Sequence, residues 1–280
     1  MASQDDDSVE RIPGEASSRM ILLCDHASNA IPAGYHDLGL SGAQRERHIA
    51  YDIGAAALTR ALAATLHATA ILTRYSRLLI DPNRGEHDPT LIMRLSDGAI
   101  IPGNQSVDAQ ERETRLARFY RPYHRAIERE IEARLAAGAP PVLVSLHSFT
   151  PEWRGRSRPW HAGILWDKDP RLALPLIEAL SAEPGLCVGD NEPYSGRLKG
   201  DTLHRHGTRR GLAHAIIEVR QDLISGSQGQ QDWAARLAGV LHRVLGQPHV
   251  LQAVSCVQYF GSWTDRPILG ASEPDQGSQT

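Results

Sequence analysis

The chain has 280 residues, a formal net charge of -3 and 41% hydrophobic residues, a composition typical of a globular protein with one large domain. This charge balance provides no broad basic surface, so nucleic acid and anionic membranes are not expected as partners. The three cysteines are widely spaced and form no CxxC pair, which favours a reducing compartment and argues against a zinc site built from thiolates. The N-terminal residues lack the basic and apolar regions of a signal peptide, and no apolar run approaches the ~20 residues of a membrane span. We therefore expect a soluble, cytoplasmic protein.

Strands and helices alternate along the chain, beginning with an apolar strand that ends near His26. A helix is predicted to start close to Asp52, and a second strand, at residues 69–75, follows it. Residues 86–110 have little periodicity and many turn residues, so we interpret them as a loop over the site. The remaining predicted elements are a helix at 119–137, a strand leading to His147, a strand at 161–166, a helix at 170–180, a strand through Glu218 and a helix at 231–245.

This order of elements predicts one α/β domain over residues 19–264, with a mostly parallel, mixed sheet that helices cover on both faces. Residues 1–18 and 265–280 are polar and contain Gly, Ser and Pro, so both segments are expected to form disordered tails. The domain contains no internal repeat.

Polar residues stand where three of the predicted strands end. His26, His147 and Glu218 each follow or interrupt an apolar run with the length of a parallel strand buried on both faces. Open α/β sheets bind ligands at the carboxyl ends of their strands, so we expect these side chains to meet at one edge of the sheet. Two histidines and a glutamate arriving there from separate strands predict a metal-hydrolase active site.

A catalytic zinc usually takes three protein ligands from His and Asp or Glu and leaves one position for water. His26 and His147 offer two imidazoles, and Asp52, expected in the first turn of a helix, is the best candidate for the third ligand. Asp52 could instead be an acid that only stabilises the helix dipole. Asp25 and Asn29 are then the alternatives, although Asp25 could also orient His26 through a hydrogen bond. We predict one zinc ion per chain.

Glu218 interrupts an apolar run, and a buried carboxylate without a partner is costly. One interpretation is an ion pair with another arginine or with Arg220, which lies two residues on and therefore points to the same face of the strand. The other is a general base that takes a proton from the attacking water.

A second polar cluster contains Arg77, Asn83 and Arg84, in and just after a strand-like run. Arginine clamps carboxylates with two hydrogen bonds, and arginine or asparagine can stabilise an oxyanion. These residues, together with Arg220, are predicted to bind substrate, and the alternative is a surface loop with solvated arginines.

The chain resembles the N-formylglutamate amidohydrolase family from about residue 21 to residue 245. The resemblance rests on an ordered series of motifs, namely Asp25-His26-Ala27-Ser28-Asn29, Tyr51-Asp52-Ile53-Gly54, Ser76-Arg77, Asp81-Pro82-Asn83-Arg84, Tyr120-Arg121-Pro122-Tyr123-His124, Leu146-His147-Ser148-Phe149-Thr150-Pro151, Asn191-Glu192-Pro193-Tyr194, Lys199-Gly200 and Ile217-Glu218-Val219-Arg220. The family is in turn similar to the zinc carboxypeptidases and succinylglutamate desuccinylases, which implies a zinc-exopeptidase-like sheet. That likeness implies a zinc ion held by His26, Asp52 and His147. It also implies that Glu218 is the base and that the substrate binds to Asn83 and Arg84.

One position departs from the carboxypeptidase pattern, which has its ligand glutamate three residues after the first histidine. Here that position is Asn29, a poor zinc ligand, so the carboxylate must come from elsewhere. The resemblance implies a metal-dependent amidohydrolase of amino-acid metabolism whose substrate is a small N-acyl amino acid, namely N-formyl-L-glutamate cleaved to formate and L-glutamate. The alternatives are a carboxypeptidase-like or cell-wall peptide amidase and a binding protein that uses the same pocket without turnover. The oligomeric state is left open.

Overall fold

The computed structural model describes residues 7–15 and 17–265. The strands are β1 Val9–Ile12, β2 Met20–Cys24, β3 Thr69–Thr73, β4 Leu95–Ser96, β5 Ala99–Ile100, β6 Val142–Phe149, β7 Glu152–Trp153, β8 Arg156–Ser157, β9 Ala162–Leu165, β10 Val188–Asp190 and β11 His214–Arg220. The α-helices are α1 Gly42–Arg45, α2 Ala55–Leu66, α3 Ala109–Arg115, α4 Arg121–Ala136, α5 Pro170–Ser181, α6 Thr202–His206, α7 Ser227–Leu245 and α8 Pro248–Val254. A π-helical turn, Leu116–Tyr120, joins α3 to α4.

Seven of these strands form one sheet in the order β1-β3-β2-β6-β11-β9-β10. Four neighbouring pairs are parallel, while β1 runs antiparallel to β3 and β9 runs antiparallel to β11. Every residue of β2, β3 and β6 is buried, as expected for parallel strands covered on both faces. The predicted α/β fold with a mostly parallel, mixed sheet flanked by helices is therefore confirmed.

The two faces of the sheet carry separate apolar layers, because alternate residues of a strand point to opposite sides. Leu22 and Val144 pack with helices α2, α5 and α7 on one face. Ile21 and Leu143 pack with α4 on the other face. Residues 86–110, which the sequence analysis interpreted as a loop, contain the β4–β5 hairpin and contribute to a third apolar cluster beside the sheet. Among the described helices, none is both long and apolar enough to cross a bilayer.

The N-terminal segment contains a strand that the sequence analysis did not predict. β1 lies within residues 1–18, which were expected to be disordered, and it pairs with β3 along its whole length. Val9 is buried, and Arg11 Nη2 donates to Glu130 Oε2 over 2.8 Å. The sequence Val-Glu-Arg-Ile does not alternate between apolar and polar residues, so it carries no strand period. Residues 1–6, residue 16 and residues 266–280 of the expected tails lie outside the described residues.

Helix α2 begins at Ala55, three residues later than predicted, so Asp52 lies ahead of the helix and not in its first turn. Gly54 allows this start, because its φ of 83° suits glycine and a Cβ there would lie 2.3 Å from the Ile224 carbonyl oxygen. The N–H of Asp52 donates to the carbonyl oxygen of His26 over 3.0 Å. This bond fixes Asp52 at the carboxyl end of β2.

Candidate active site

The site lies where the carboxyl ends of three neighbouring strands meet. His26 follows β2 by two residues, His147 lies in β6, and Glu218 lies in β11, where it is the Cα partner of His147 in the parallel register. Because β2, β6 and β11 are adjacent in the sheet, these three residues, distant in sequence, come together. The convergence predicted from the strand ends is therefore present.

Asp52 completes a compact cluster with the two histidines. Its Oδ2 atom lies 2.8 Å from His147 Nδ1 and 3.3 Å from His26 Nδ1. One ligand atom from each of the three residues lies within 4.8 Å of the others, and all three side chains are buried. The described residues thus place one carboxylate oxygen and two imidazole nitrogens around one point, which is the donor set of a catalytic zinc site.

A carboxylate stands behind each imidazole, on the ring nitrogen that faces away from this point. His147 Nε2 lies 3.0 Å from Asp25 Oδ2, and His26 Nε2 lies 2.8 Å from Asp81 Oδ1. Such carboxylate–histidine pairs fix the ring orientation and leave the opposite nitrogen free to bind a metal. Asp25 had been considered as an orienting partner for His26, but it pairs with His147, and the residue that pairs with His26 is Asp81.

Ion pairs between the histidines and the carboxylates hold this cluster together. Burial raises the pKa of the Asp52 carboxyl, but the charge of His26 and the hydrogen bond from His147 outweigh it and hold that pKa well below its usual range. Burial likewise raises the pKa of Asp25, and His147 more than offsets this effect. Burial lowers the pKa of His147, yet its hydrogen bonds to Asp25 and Asp52 raise that pKa well above the ordinary value. Ionised carboxylates concentrated around two imidazoles fit a divalent cation, so the residues present suit the metal that the resemblance implies.

Glu218 lies beside the cluster, and one of its carboxylate oxygens accepts no hydrogen bond from the described residues. Its side chain is buried, and Oε2 has no hydrogen-bond partner among the described residues. Burial is the main cause that raises the pKa of Glu218 to about 7, and the charge of His147 opposes it. The alternative of an ion pair with Arg220 is wrong, because Arg220 Nε donates to Asp222 Oδ1 over 2.7 Å.

A cavity of about 280 Å³ opens at this edge of the sheet, and its wall includes the three residues of the cluster and the predicted base Glu218. Of the predicted substrate-binding residues, Arg77, Asn83 and Arg84 also line it. Arg220 lies outside this lining, and its Nη1 atom donates to the backbone carbonyl oxygens of Arg158 and Trp160. Arg220 therefore supports a neighbouring segment and does not face the cavity.

The three predicted substrate-binding side chains in the cavity wall make different hydrogen bonds. Arg77 Nη2 donates to Asp81 Oδ2 over 2.7 Å, so its charge is already paired. Arg84 donates to the Thr90 hydroxyl and to the Asn83 carbonyl, and the described residues include no ion-pair partner for it. The side-chain oxygen of Asn83 accepts from the backbone N–H of Thr202. Of these three side chains, Arg84 is thus the one whose charge has no carboxylate partner among the described residues.

Two supporting residues were missed by the sequence analysis. Asp81 pairs with His26 and Arg77, and Thr202 donates its hydroxyl to Asp25 Oδ1 over 2.6 Å. Asp81 belongs to the Asp-Pro-Asn-Arg motif on which the resemblance rests, so a signal was present. Thr202 follows Lys199-Gly200 and carried no signal of its own.

An unpaired buried carboxylate beside a cluster of metal-binding type suits the activation of water, which makes hydrolases the class of protein to consider. Residues 18–225, more than half of the chain, match the family model of N-formylglutamate amidohydrolase. The chain therefore belongs to the N-formylglutamate amidohydrolase family and is an amidohydrolase. The resemblance drawn from the sequence motifs is confirmed.

Individual relatives support this assignment. The N-formylglutamate deformylase of Pseudomonas aeruginosa is 29% identical over 199 residues, which are 64% of this chain and 73% of that protein. The N-formylglutamate deformylase of Pseudomonas putida is 26% identical over 179 residues, 56% of this chain and 64% of that protein. Among solved structures, the product of gene Atu2144 from Agrobacterium tumefaciens is 36% identical with a TM-score of 0.81, covering 90% of this chain and 98% of that chain. The N-formylglutamate amidohydrolase of Ralstonia eutropha JMP134, at 23% identity and a TM-score of 0.66 over 88% of this chain and 99% of that chain, shares the fold.

Proposed function

We propose that this amidohydrolase is metal-dependent and hydrolyses N-formyl-L-glutamate to formate and L-glutamate. The observation that carries the proposal is the unpaired Oε2 atom of Glu218 beside the cluster of His26, Asp52 and His147. The names of the two Pseudomonas relatives support the substrate, and the small cavity suits an amino-acid derivative.

The two Nδ1 atoms of His26 and His147 and a carboxylate oxygen of Asp52 would hold one zinc ion. When bound, the ion would supply Lewis-acid chemistry at the acyl carbonyl and at the attacking water. Asp25 and Asp81 keep the imidazoles oriented, because each accepts a hydrogen bond from the nitrogen that faces away from the cluster.

Glu218 would act as the general base and then as the general acid. With a pKa of about 7, its carboxylate is ionised in part at neutral pH and can take a proton from water. The water oxygen forms a bond to the formyl carbon, and the amide C–N bond breaks. Glu218 then passes the proton to the leaving nitrogen, so that formate and the free amine of glutamate are the products.

Arg84 and Asn83 would hold the substrate in the cavity. The planar guanidinium of Arg84 suits a carboxylate, and the Asn83 amide can donate to the acyl oxygen or to the carboxylate. Arg77 would act indirectly, because its hydrogen bonds to Asp81 help to orient His26.

The proposal is tested by a hydrolysis screen of the zinc-loaded protein with N-formyl, N-formimino, N-acetyl and N-succinyl amino acids. Release of formate from N-formyl-L-glutamate, lost after chelation and restored by zinc, is the expected result. Cleavage of a muropeptide or of a C-terminal peptide bond without formate release would support the peptide-amidase alternative instead. Turnover that persists after complete metal removal would contradict the metal dependence.

A further inference from the structure

Arg158 is an arginine near the cavity that the proposed function has not used. It follows the β7–β8 hairpin, and its guanidinium carbon lies 4.9 Å from the ring centroid of Tyr194, 5.5 Å from that of Trp153 and 5.8 Å from that of Phe149. Aromatic faces stabilise a guanidinium without neutralising its charge. The cation is therefore held in place while its charge remains available.

The hydrogen bonds of Arg158 to described side chains use only one nitrogen of its guanidinium group. Nη1 donates to the Tyr194 hydroxyl over 3.1 Å and to the Thr150 hydroxyl over 3.0 Å. Within residues 7–15 and 17–265, no carboxylate forms an ion pair with Arg158. Because a guanidinium has five N–H donors in a planar arrangement, Arg158 can still bind a carboxylate with two parallel hydrogen bonds.

Tyr194 connects this guanidinium to the cavity. Tyr194, Phe149 and Thr150 all line the same cavity as Glu218. The Tyr194 oxygen accepts from Arg158, so its own O–H remains free to donate to a ligand. Burial, and next the charge of Glu218, raise the pKa of Tyr194, which keeps this hydroxyl protonated.

The backbone of Arg158 is also fixed. The carbonyl oxygen of Arg158 accepts from Arg220 Nη1 over 3.3 Å, and the guanidinium of Arg220 is paired with Asp222. Arg220, which was predicted to bind substrate, thus supports the segment that carries Arg158. This contact explains the presence of Arg220 two residues after Glu218, although Arg220 does not lie in the cavity.

Two arginines therefore lack a carboxylate partner in the described part of the chain. Arg84 lines the cavity, and Arg158 lies behind the lining residue Tyr194, to which it donates. An N-acyl amino dicarboxylate brings two carboxylates, one on the α-carbon and one on the side chain. We infer that Arg158, together with the Tyr194 hydroxyl, binds the side-chain carboxylate of the substrate and sets the preference for an acidic side chain. This inference rests on the proposed function, with Arg84 assigned to the α-carboxylate.

The test compares two substrates that differ only in the charge of the side chain, N-formyl-L-glutamate and N-formyl-L-glutamine. The ratio of their kcat/KM values is measured for the wild type, Arg158→Gln and Tyr194→Phe. In Arg158→Gln this ratio should fall about 10- to 100-fold, the range for a hydrogen bond to a charged group, and in Tyr194→Phe it should fall less. Arg156→Gln is the matched control, since Arg156 is exposed on the same hairpin, and its ratio should stay unchanged.

A structural role for Arg158 gives a different result. If the guanidinium only secures the hairpin, Arg158→Gln lowers kcat/KM for both substrates alike, the ratio stays at the wild-type value, and the inference is overturned. Arg84→Gln separates the two arginines, because it should weaken both substrates equally through their shared α-carboxylate.

A second measurement needs no turnover and keeps this inference separate from the proposed function. Calorimetric binding of L-glutamate and L-glutamine to the zinc-loaded protein should show a preference for glutamate that Arg158→Gln abolishes. Wild-type protein that releases formate from both substrates at equal rates would leave the proposed deformylation standing and overturn the role of Arg158. Wild-type protein that neither releases formate nor prefers glutamate in binding would overturn both.

Discussion

Replacement of Glu218 by glutamine tests the assignment of the base through activity and stability at once. The substitution keeps the size of the side chain and removes its ability to accept a proton. We expect Glu218→Gln to retain the metal and to lose about 100-fold or more in kcat, the scale for loss of a general base.

Although kcat should fall, the free energy of unfolding of Glu218→Gln at high pH should rise relative to the wild type. Burial raises the pKa of Glu218 from an ordinary value of 4.5 to about 7, a difference that corresponds to about 3 kcal/mol. Between these two values the native state binds more protons than the unfolded chain, so Glu218 lowers the free energy of unfolding as the pH rises through this window. This loss of unfolding free energy is complete above pH 7 and absent below pH 4.5.

The assay is urea unfolding of the metal-free wild type and Glu218→Gln at pH 4 and pH 8.5. A buried glutamine amide has its own cost, but this cost does not depend on pH and cancels between the two conditions. Relative to the wild type, the variant should therefore gain about 3 kcal/mol of unfolding free energy between pH 4 and pH 8.5. Glu178→Gln, at an exposed position of α5, should show no such difference.

Two outcomes would refute this reasoning. A variant of Glu218 that loses stability at pH 8.5 while turning over normally would mean that the carboxylate is part of a structural ion pair. A relative stability that does not change with pH would mean that the buried oxygen has a partner and is not held ready to accept a proton.

Three further predictions concern the ligands and the substrate. Arg84→Lys keeps the charge but loses the planar fork of donors. The fall in kcat/KM for N-formyl-L-glutamate should correspond to about 1.5–3 kcal/mol of lost transition-state stabilisation, and unchanged kinetics would remove Arg84 from the site. Tyr120→Phe removes the hydroxyl that donates to the Arg84 carbonyl oxygen over 2.8 Å, and KM should rise by roughly two- to tenfold with little change in kcat. The matched variant Tyr259→Phe, at an exposed hydroxyl bonded to Asp265, should leave KM unchanged. Asp52→Asn should lower zinc affinity by more than about 100-fold, measured as metal content after dialysis, and full zinc occupancy would exclude Asp52 as a ligand.

The residues at the strand ends could be predicted because a parallel sheet brings the carboxyl ends of its strands to one edge. His26, His147 and Glu218 each mark such an end, and this inference needs no knowledge of the strand order. Asp52 was harder to place. Its position depends on the late start of α2 after Gly54, and a helical pattern defines the start of a helix only to within a few residues.

The choice of arginines could not be made from spacing. Arg220 lies two residues after Glu218 and shares its side of β11, but this rule gives a direction and not the reach of a long side chain. The chain turns at Gln221–Leu223, and Asp222 then captures the guanidinium of Arg220. Arg158 follows a short hairpin with no periodic signal, and its packing against aromatic rings from three separate segments exists only in the folded protein.

The acid that orients each histidine shows why hydrogen-bond partners need the strand order as well as the motifs. Asp25 precedes His26 in the chain, yet consecutive side chains at a strand end point in different directions, and Asp25 reaches His147 on β6. The acid for His26 comes from Asp81, which follows β3 on the other side of β2. Each histidine is thus oriented from a different neighbour, and both therefore turn their Nδ1 atoms toward Asp52. The motifs point to the two histidines, whereas the order β3-β2-β6 determines which nitrogen of each ring faces Asp52.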